Sequence, residues 1–305
     1  MDIRLLKHYV AAVEHGNMLR ASEAIFVTQP AITKSIKTLE AELDVRLLDR
    51  LPTGVAPTRF GHRLYEHAKL ILNQIDRAKT EVKDGTSGQW THIRIGYGLN
   101  FAGSILADAV FNILNSRPNI TATVTSRTFD ELVPLLTQGD LDLAVAVFPF
   151  NKPHPDLTYE LLVEDEFRAI CRADHPLVGH GQQSLQSLAN ETWVLFDRPE
   201  LLISLFNSIF LDEGLAVPHP AIQTNSVYIL KSAIKESDRI AYLPPSIVFE
   251  ELERKELVIL PTKMPRKKTR AGIIYRANDI IPDPVSEIIE TLRNSRGKLL
   301  SSELV

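Results

Sequence analysis

Apolar positions near the start of the chain recur with helical spacing. Leu6, Tyr9, Val10 and Val13 stand at i, i+3, i+4 and i+7, which predicts a first helix with one buried face. Asp2 is placed to cap it and Gly16 to end it. Asn17 is placed to cap a second, short helix, with Ala21, Ala24 and Ile25 expected to face inward. Val27 falls in a tight connection. Thr28 stands where a third helix needs a cap, and the first turn of that helix tolerates Pro30. Ile32, Ile36 and Leu39 form its inner stripe. Its open side carries Gln29, Thr33, Lys34 and Lys37, with no acid before Glu40.

Two short apolar runs follow, in LLDRLPTGVAPTRFG at residues 47–61, around the turn Pro52-Thr53-Gly54. They predict a two-stranded hairpin, with Thr58 placed to cap the next helix. From about Arg59 to Asp84, Leu64, Ile71 and Ala78 repeat every seven residues, and Ala68, Ile75 and Val82 repeat at an offset of four. This is a heptad seam, and it predicts a long helix that pairs with the same helix of a second copy, although a seam packed on its own chain has the same pattern. Asp84-Gly85-Thr86-Ser87-Gly88 reads as the hinge that ends it.

Beyond His92 the period changes. HIRIGYG, ITATVTSR and DLDLAVAVF read as strands, separated by the helical segments SILADAVFNILNSRP and FDELVPLLTQG. Such βαβαβ alternation predicts a parallel sheet covered by helices. A second block runs from LTYELLVEDEFRAICR to RIAYLPP, followed by the strand AGIIYR and the closing helix DPVSEIIETLRN. The chain is expected to leave a first lobe near residue 162 and to return near 268, making two lobes joined by two crossovers. The organisation expected is residues 1–58 as one domain, 59–88 as linker helix and hinge, and 89–305 as a two-lobed α/β domain. Lobe I takes about 89–161 and 269–297, and lobe II about 162–268.

The order helix, helix, turn, polar-faced helix, hairpin suggests a winged helix-turn-helix, with the helix-turn-helix segment at about 18–37. A recognition helix enters the major groove N-terminus first and needs donors and acceptors on its outer face. Gln29 suits adenine. Thr28 and Thr33 suit bases or phosphates, and Lys34 and Lys37 suit phosphate or guanine. Arg50 and Thr53 of the hairpin fall near the DNA backbone or minor groove, and Thr58 near a phosphate. An ordinary solvated helix has a similar pattern, and the distribution of charge bears on the choice. The 305 residues carry a net charge of -4. Residues 1–90 hold 13 Lys and Arg against 11 Asp and Glu, a net of +2, and the remainder holds 21 against 27, a net of -6. A mildly basic front on an acidic body permits a DNA-binding head. No apolar run approaches a membrane span and no secretory signal is evident, and the single cysteine, Cys171, excludes an internal disulfide and fits a reducing compartment. These features lead us to expect a cytoplasmic protein with no membrane partner.

The stretch GNMLRASEAIFVTQPAITKSIKTLEAELDVRLLDRLPTGVAPTRFG resembles the winged helix-turn-helix of LysR-type transcriptional regulators. The shared features stand in order: a glycine before the second helix, Ala21 and Ala24 within it, Thr-Gln-Pro-Ala at 28–31, Leu39-Glu40, Glu42-Leu43, Leu47, Arg50, Thr58 and Gly61. QGDLDLAV, DHPL and DRIAYLPPSIV are in register with the family's effector domain, which has the fold of periplasmic solute-binding proteins. The fold class expected is therefore α/β overall: a mainly α winged helix-turn-helix at the N-terminus, a long linker helix, and a two-lobed α/β effector domain. The resemblance implies no enzymatic activity. It implies promoter DNA, a small-molecule effector, a homodimer through the linker helix that pairs into a homotetramer, and RNA polymerase if the protein is an activator.

Ligands of parallel α/β lobes gather at strand carboxyl ends and helix N-termini. Three such corners are Leu99-Asn100-Phe101, Arg127-Thr128 and Asn225-Ser226, with Phe148, Phe196 and Arg198 as expected cleft walls. In the family, effectors contact the corner after the first strand and the Ser or Thr after the second, a role that Asn100 and Thr128 carry over best. The arginines suit a small carboxylate, and the phenylalanines an aromatic one. Neither a metal nor a cofactor is expected: His62 and His67, like His175 and His180, are five residues apart and share no helix face, and the G-x-G of RIGYGLNFAG lacks the rest of a dinucleotide fingerprint. The basic run PRKKTR at 265–270 reads as a solvated crossover. A small-molecule-binding or enzymatic α/β domain with an accessory front end, and a constitutive DNA-bending protein, remain as alternatives.

Overall fold

The computed structural model describes residues 1–87, 91–98, 104–149, 154–197, 200–277, 279 and 281–295. It divides into two compact units, Met1–Thr91 with Pro134–Leu141, and His92–Val133 with Asp142 onward.

The first unit opens with α1 (Ile3–His15), α2 (Met18–Ala24) and α3 (Gln29–Leu43). Asp2 caps α1 by accepting from Arg4 N at 2.8 Å, and Gly16 closes it in the left-handed conformation at φ 61°. Asn17 caps α2 through Leu19 N and Arg20 N. Thr28 holds the cap position of α3, yet its side chain makes no cap bond. Ala24 is exposed; only Ala21 of the expected inward alanines is buried, because α2 has just seven residues and its last turn clears the core. The core joins Leu6, Tyr9 and Ala12 of α1 to Ile32, Ile36 and Leu39 of α3.

A hairpin of β1 (Leu48–Leu51) and β2 (Gly54–Pro57) follows, antiparallel, with Pro52-Thr53 at its tip. It is pinned at both ends. Leu47 N and Leu48 N donate to Glu40 Oε1 at 2.8 and 3.3 Å, so the first acid of α3 serves the hairpin and leaves the helix's outer face. Val55 N donates to Gly16 O at 2.8 Å. Residue 54 must be glycine for that approach: its φ is 150°, and a Cβ there would lie 2.0 Å from Gly16 O.

Then α4 (Arg59–Ser87) begins. Thr58 accepts from Gly61 N at 3.1 Å and donates to Arg46 O at 2.7 Å. The helix continues through Asp84-Gly85-Thr86, where the sequence suggested a hinge; one glycine lowers helix preference by ~1 kcal/mol and does not stop so long a helix. Ala68, expected on a dimer seam, is fully buried in the chain's own core, and Leu64 packs against that core. Within the same unit, Asn73 Nδ2 donates to Gln138 O and Asp140 Oδ1 at 2.8 and 3.0 Å, and Lys69 Nζ lies 3.0 Å from Glu14 Oε1.

The second unit holds two five-stranded sheets. Its elements are β3 (Thr91–Tyr97), α5 (Ser104–Ser116), β4 (Ile120–Ser126), α6 (Phe129–Thr137), β5 (Leu143–Phe148), β6 (Leu157–Glu166), β7 (Arg168–Arg172), α7 (Leu185–Leu188), β8 (Thr192–Phe196), α8 (Glu200–Leu211), β9 (Pro220–Thr224), α9 (Val227–Lys235), β10 (Arg239–Leu243), α10 (Phe249–Glu253), β11 (Leu257–Ile259), β12 (Lys268–Arg276) and α11 (Asp283–Asn294). One sheet has the order β4-β3-β5-β12-β6 and the other β11-β7-β10-β8-β9. Both are mixed. β3 and β5 are parallel, as are β8, β9 and β10, but β12 runs antiparallel to β5 and β6, and β7 antiparallel to β10 and β11. The purely parallel sheet expected from the βαβαβ alternation is therefore completed by returning strands. β6 remains in the first sheet to Glu166, four residues beyond the expected exit, because β12 pairs with it along its whole length. Phe167 N then donates to Lys267 O at 2.9 Å and ties the two crossing strands together. Leu143–Ala146 of β5 are fully buried, which suits a strand covered on both faces. Cys171 of β7 is buried, and burial pushes its thiol up to about 12.

Glu160 of β6 accepts from Arg293 Nη2 and Nε at 2.6 and 2.7 Å, and these bonds hold its carboxyl below the usual 4.5. The stabilisation is fully present above pH 4.5 and is lost as pH falls below it. Glu160→Gln should therefore flatten the acid limb of the thermal-stability profile below that pH; an unchanged limb would remove Glu160 from the explanation. In the first unit, a Cβ on Gly61 would lie 2.1 Å from Leu47 O. Gly61→Ala should cost about 1–3 kcal/mol in urea unfolding, and a parental midpoint would contradict the packing described.

Candidate nucleic-acid interface and effector corners

The outer face of α3 is open because its inner stripe is so completely used. Ile32, Ser35, Ile36 and Leu39 are buried, whereas Thr28, Gln29, Pro30, Lys34 and Lys37 are exposed. Thr33 is half-buried and its hydroxyl donates to Gln29 O at 3.1 Å, so that hydroxyl is already engaged. Among the described residues no acid pairs with Lys34, Lys37 or Arg50. Arg50 stands on the exposed edge of β1 and Thr53 at the hairpin tip. Thr58 is bound on both sides of its hydroxyl and acts as a cap and brace. The arrangement presents a polar helix end with two free ammonium groups beside a protruding hairpin, the geometry that reads a major groove and touches its phosphate walls.

Two features here had no sequence signal. The His8 ring on α1 meets Ser35 on the inner side of α3, Nδ1 to Oγ 2.7 Å. Phe26, in the turn between α2 and α3, is 95% exposed and left-handed at φ 56°.

On α4 the remaining seam positions face away from the core. Ile71 and Ala78 are exposed, Ile75 is half-buried and Val82 is 75% exposed.

In the second unit the expected effector residues scatter in environment. Leu99, Asn100, Phe101 and Arg198 lie outside the described residues. Arg127 is exposed, and its Nη1 donates to Ser126 O at 2.7 Å. Thr128 starts α6, with its N–H and hydroxyl both donating to Glu131 Oε2 at 2.9 and 2.8 Å. Ser226 caps α9 by accepting from Ile229 N at 3.3 Å, and Asn225 beside it is exposed. Phe148 ends β5 and packs on Tyr159 at 5.3 Å between ring centroids. Phe196, expected as a cleft wall, is 4% exposed: the last residue of β8 turns into the core with Val194, Leu230 and Leu243.

A cavity of about 260 Å³ lies at the crossover, lined by Glu164, Asp165, Arg168, Pro245, Phe249 and Lys268 among others. None of the expected effector residues lines it. Its charges are mutually satisfied: Glu164 accepts from Arg270 Nε and Lys268 Nζ, both at 3.1 Å, which holds its carboxyl below the usual range. Asp165 Oδ2 accepts from Ser246 N at 3.0 Å. Among the described residues no group of His, Cys, Asp and Glu is placed to hold a metal, and no helix is long and apolar enough to cross a membrane.

Comparison with known proteins accounts for nearly the whole chain. Residues 3–62 match the bacterial regulatory helix-turn-helix protein family of LysR, and residues 87–296 match the LysR substrate binding domain. The chain is 28% identical over 241 residues to the HTH-type transcriptional regulator GbpR of Azospirillum brasilense, covering 79% of this chain and 70% of that one. It is 27% identical over 298 residues to the SDS degradation transcriptional activation protein of a Pseudomonas species, covering 95% of both. Full-length OxyR from Pseudomonas aeruginosa superimposes with a TM-score of 0.64 at 19% identity, over 96% of this chain and 95% of that one. The LysR family regulator CbnR, in its complex with target DNA, gives 0.58 at 23% identity, over 97% of this chain and all of the other. The chain belongs to the LysR family of transcriptional regulators. It is a ligand-responsive DNA-binding regulator, and not an enzyme.

The turn that leads into α3 carries backbone strain at Phe26, since a bulky residue at positive φ costs on the order of 1–3 kcal/mol. Phe26→Asn, which suits the left-handed region and removes an exposed ring, should raise the thermal midpoint of the full chain by a few degrees. A fall would mean the ring has partners in solution.

Proposed function

We propose that the outer face of α3 and the adjoining hairpin read promoter DNA, with Gln29 on base edges and Lys34, Lys37 and Arg50 on phosphates or guanine. Thr28, Pro30 and Thr53 lie along the same contact line, and Thr33 and Thr58 support it from behind. The single observation that carries this reading is the outer face of α3 from Gln29 to Lys37, which holds no acid and stands open while Ile32, Ser35, Ile36 and Leu39 behind it are buried. Residues 1–58 act as the DNA-binding domain, 59–88 as the linker, and 89–305 as the effector domain. Ile71, Ile75, Ala78 and Val82 of α4 form the dimer seam; their exposure in a single chain supports this, while Leu64 and Ala68 hold α4 to its own core. Pairing of dimers gives a homotetramer, and contact with RNA polymerase follows where the protein activates.

The effector is a small molecule, with Arg127 and Asn225 as its exposed polar contacts and a carboxylate or aromatic carboxylate as the ligand class they suit. Asn100 and Arg198 complete that set, with Thr128 shaping its corner through Glu131, Ser226 shaping the other as a helix cap, and Phe148 as a wall. The place of action is the cytoplasm.

A footprint on the DNA flanking the gene, with competitor DNA in excess, should protect an interrupted, near-palindromic region. On that operator Lys34→Ala should weaken binding to all sequences and lower the salt slope by about 1, whereas Gln29→Ala should cost about 1–3 kcal/mol and relax specificity at one base pair. Binding that is indifferent to both substitutions would refute the face assignment. For the effector, a carboxylate that raises the thermal midpoint should do so far less with Arg127→Gln, and an equal rise in both proteins would refute the arginine's role.

A further inference from the structure

The hydrogen bond between His8 and Ser35 has no explanation in the hydrophobic plan of the first unit. Both residues are 7% exposed, and they stand 27 positions apart on α1 and α3. Their neighbours along the same interface, Leu5, Ala12, Ile32, Ile36 and Leu39, are apolar. An apolar pair at these two positions would satisfy burial without any polar group. Apolar packing of a helix tolerates small rotation and sliding, because its contacts have no preferred direction. A hydrogen bond has one, in both distance and angle. The rotation of α3 about its axis decides where Gln29, Lys34 and Lys37 point, and base reading fails with displacements well under a helical turn.

Burial, with Arg4 next, holds His8 below its ordinary 6.5 against the opposing pull of Asp2, so near neutral pH the ring carries no charge. A neutral imidazole and a hydroxyl can each donate or accept, so Nδ1 and Oγ, 2.7 Å apart, form a hydrogen bond in either tautomer. His8 also lines an open groove together with Ile25 and Leu72.

We propose that His8 is a positioning residue for DNA recognition: through Ser35 it sets the rotation of α3, and so the aim of a reading face that it never touches. The inference rests on the assignment of that face in the preceding subsection. Sequence specificity thereby depends on a residue of α1 on the far side of the recognition helix from DNA.

The test is the affinity of the full chain, by fluorescence anisotropy, for the operator defined by footprinting and for random DNA of equal length. Ser35→Ala keeps helix preference high and removes one partner; His8→Leu removes the other. Each should lower operator affinity about three- to tenfold, the span of one hydrogen bond, while random DNA is bound as before. The double variant should lose no more than either single one. His8→Asn places an amide atom where Nδ1 stands and should restore operator affinity, although asparagine is a poorer helix former than leucine. Parental specificity in Ser35→Ala, losses that add in the double variant, or operator and random DNA weakened in parallel would each overturn the proposal. If Gln29→Ala also leaves specificity intact, the face assignment falls and this inference with it. If Gln29→Ala loses specificity and Ser35→Ala does not, this inference falls alone.

Discussion

Everything the first unit offers to DNA depends on one buried seam, the packing of α3 against α1. A helix can expose a polar face only if its other face is fully occupied. Tyr9, Ala12, Ile32 and Leu39 are closed to solvent altogether and occupy it. The hairpin depends on the same seam indirectly. Its two anchors are a carboxylate at the end of α3 and a carbonyl at the end of α1, so it stands where those two helices meet. A small shift along the seam would move α3 and the hairpin together, which keeps the two elements in one geometry.

Much of this was legible because period and capping are local properties. The stripe Ile32, Ile36, Leu39 could belong only to a helix buried on one side, and Asp2, Gly16 and Asn17 each punctuate the chain as their chemistry requires. The heptads on α4 were legible as a pattern but not as a partner. Periodicity reports that a stripe is apolar and does not say what covers it. Ala68 is covered by the chain's own core, while Val82, two heptads on, is open. Phe196 misled for a related reason. A strand's final residue can turn into the core or out to a cleft, and alternation alone does not choose. Thr128 and Ser226 stand at helix starts, and there Thr128 bonds to Glu131 of its own helix while Ser226 caps α9. The His8–Ser35 bond was invisible, since it joins two residues that no local rule connects.

The second unit shows how returning strands complete a fold that sequence alternation describes only in part. β12 lies between β5 and β6 and runs against both, so the last strand of the chain seals the first sheet. The two segments that pass between the sheets are tied by the Phe167–Lys267 bond and flanked by paired charges. Any relative motion of the two sheets must bend at that tie, because the chain crosses nowhere else among the described residues.

The state of Cys171 has a practical consequence. At neutral pH a thiol raised to about 12 is ionised in only about one molecule in 10⁵, and its side chain is closed to solvent. Thiol-directed labels will pass it by while the fold is intact. A cysteine introduced on the open side of α3 or along α4 can therefore carry a spin or fluorescent label without first removing the native one. Distances between copies of the chain on DNA become measurable on an otherwise unaltered protein.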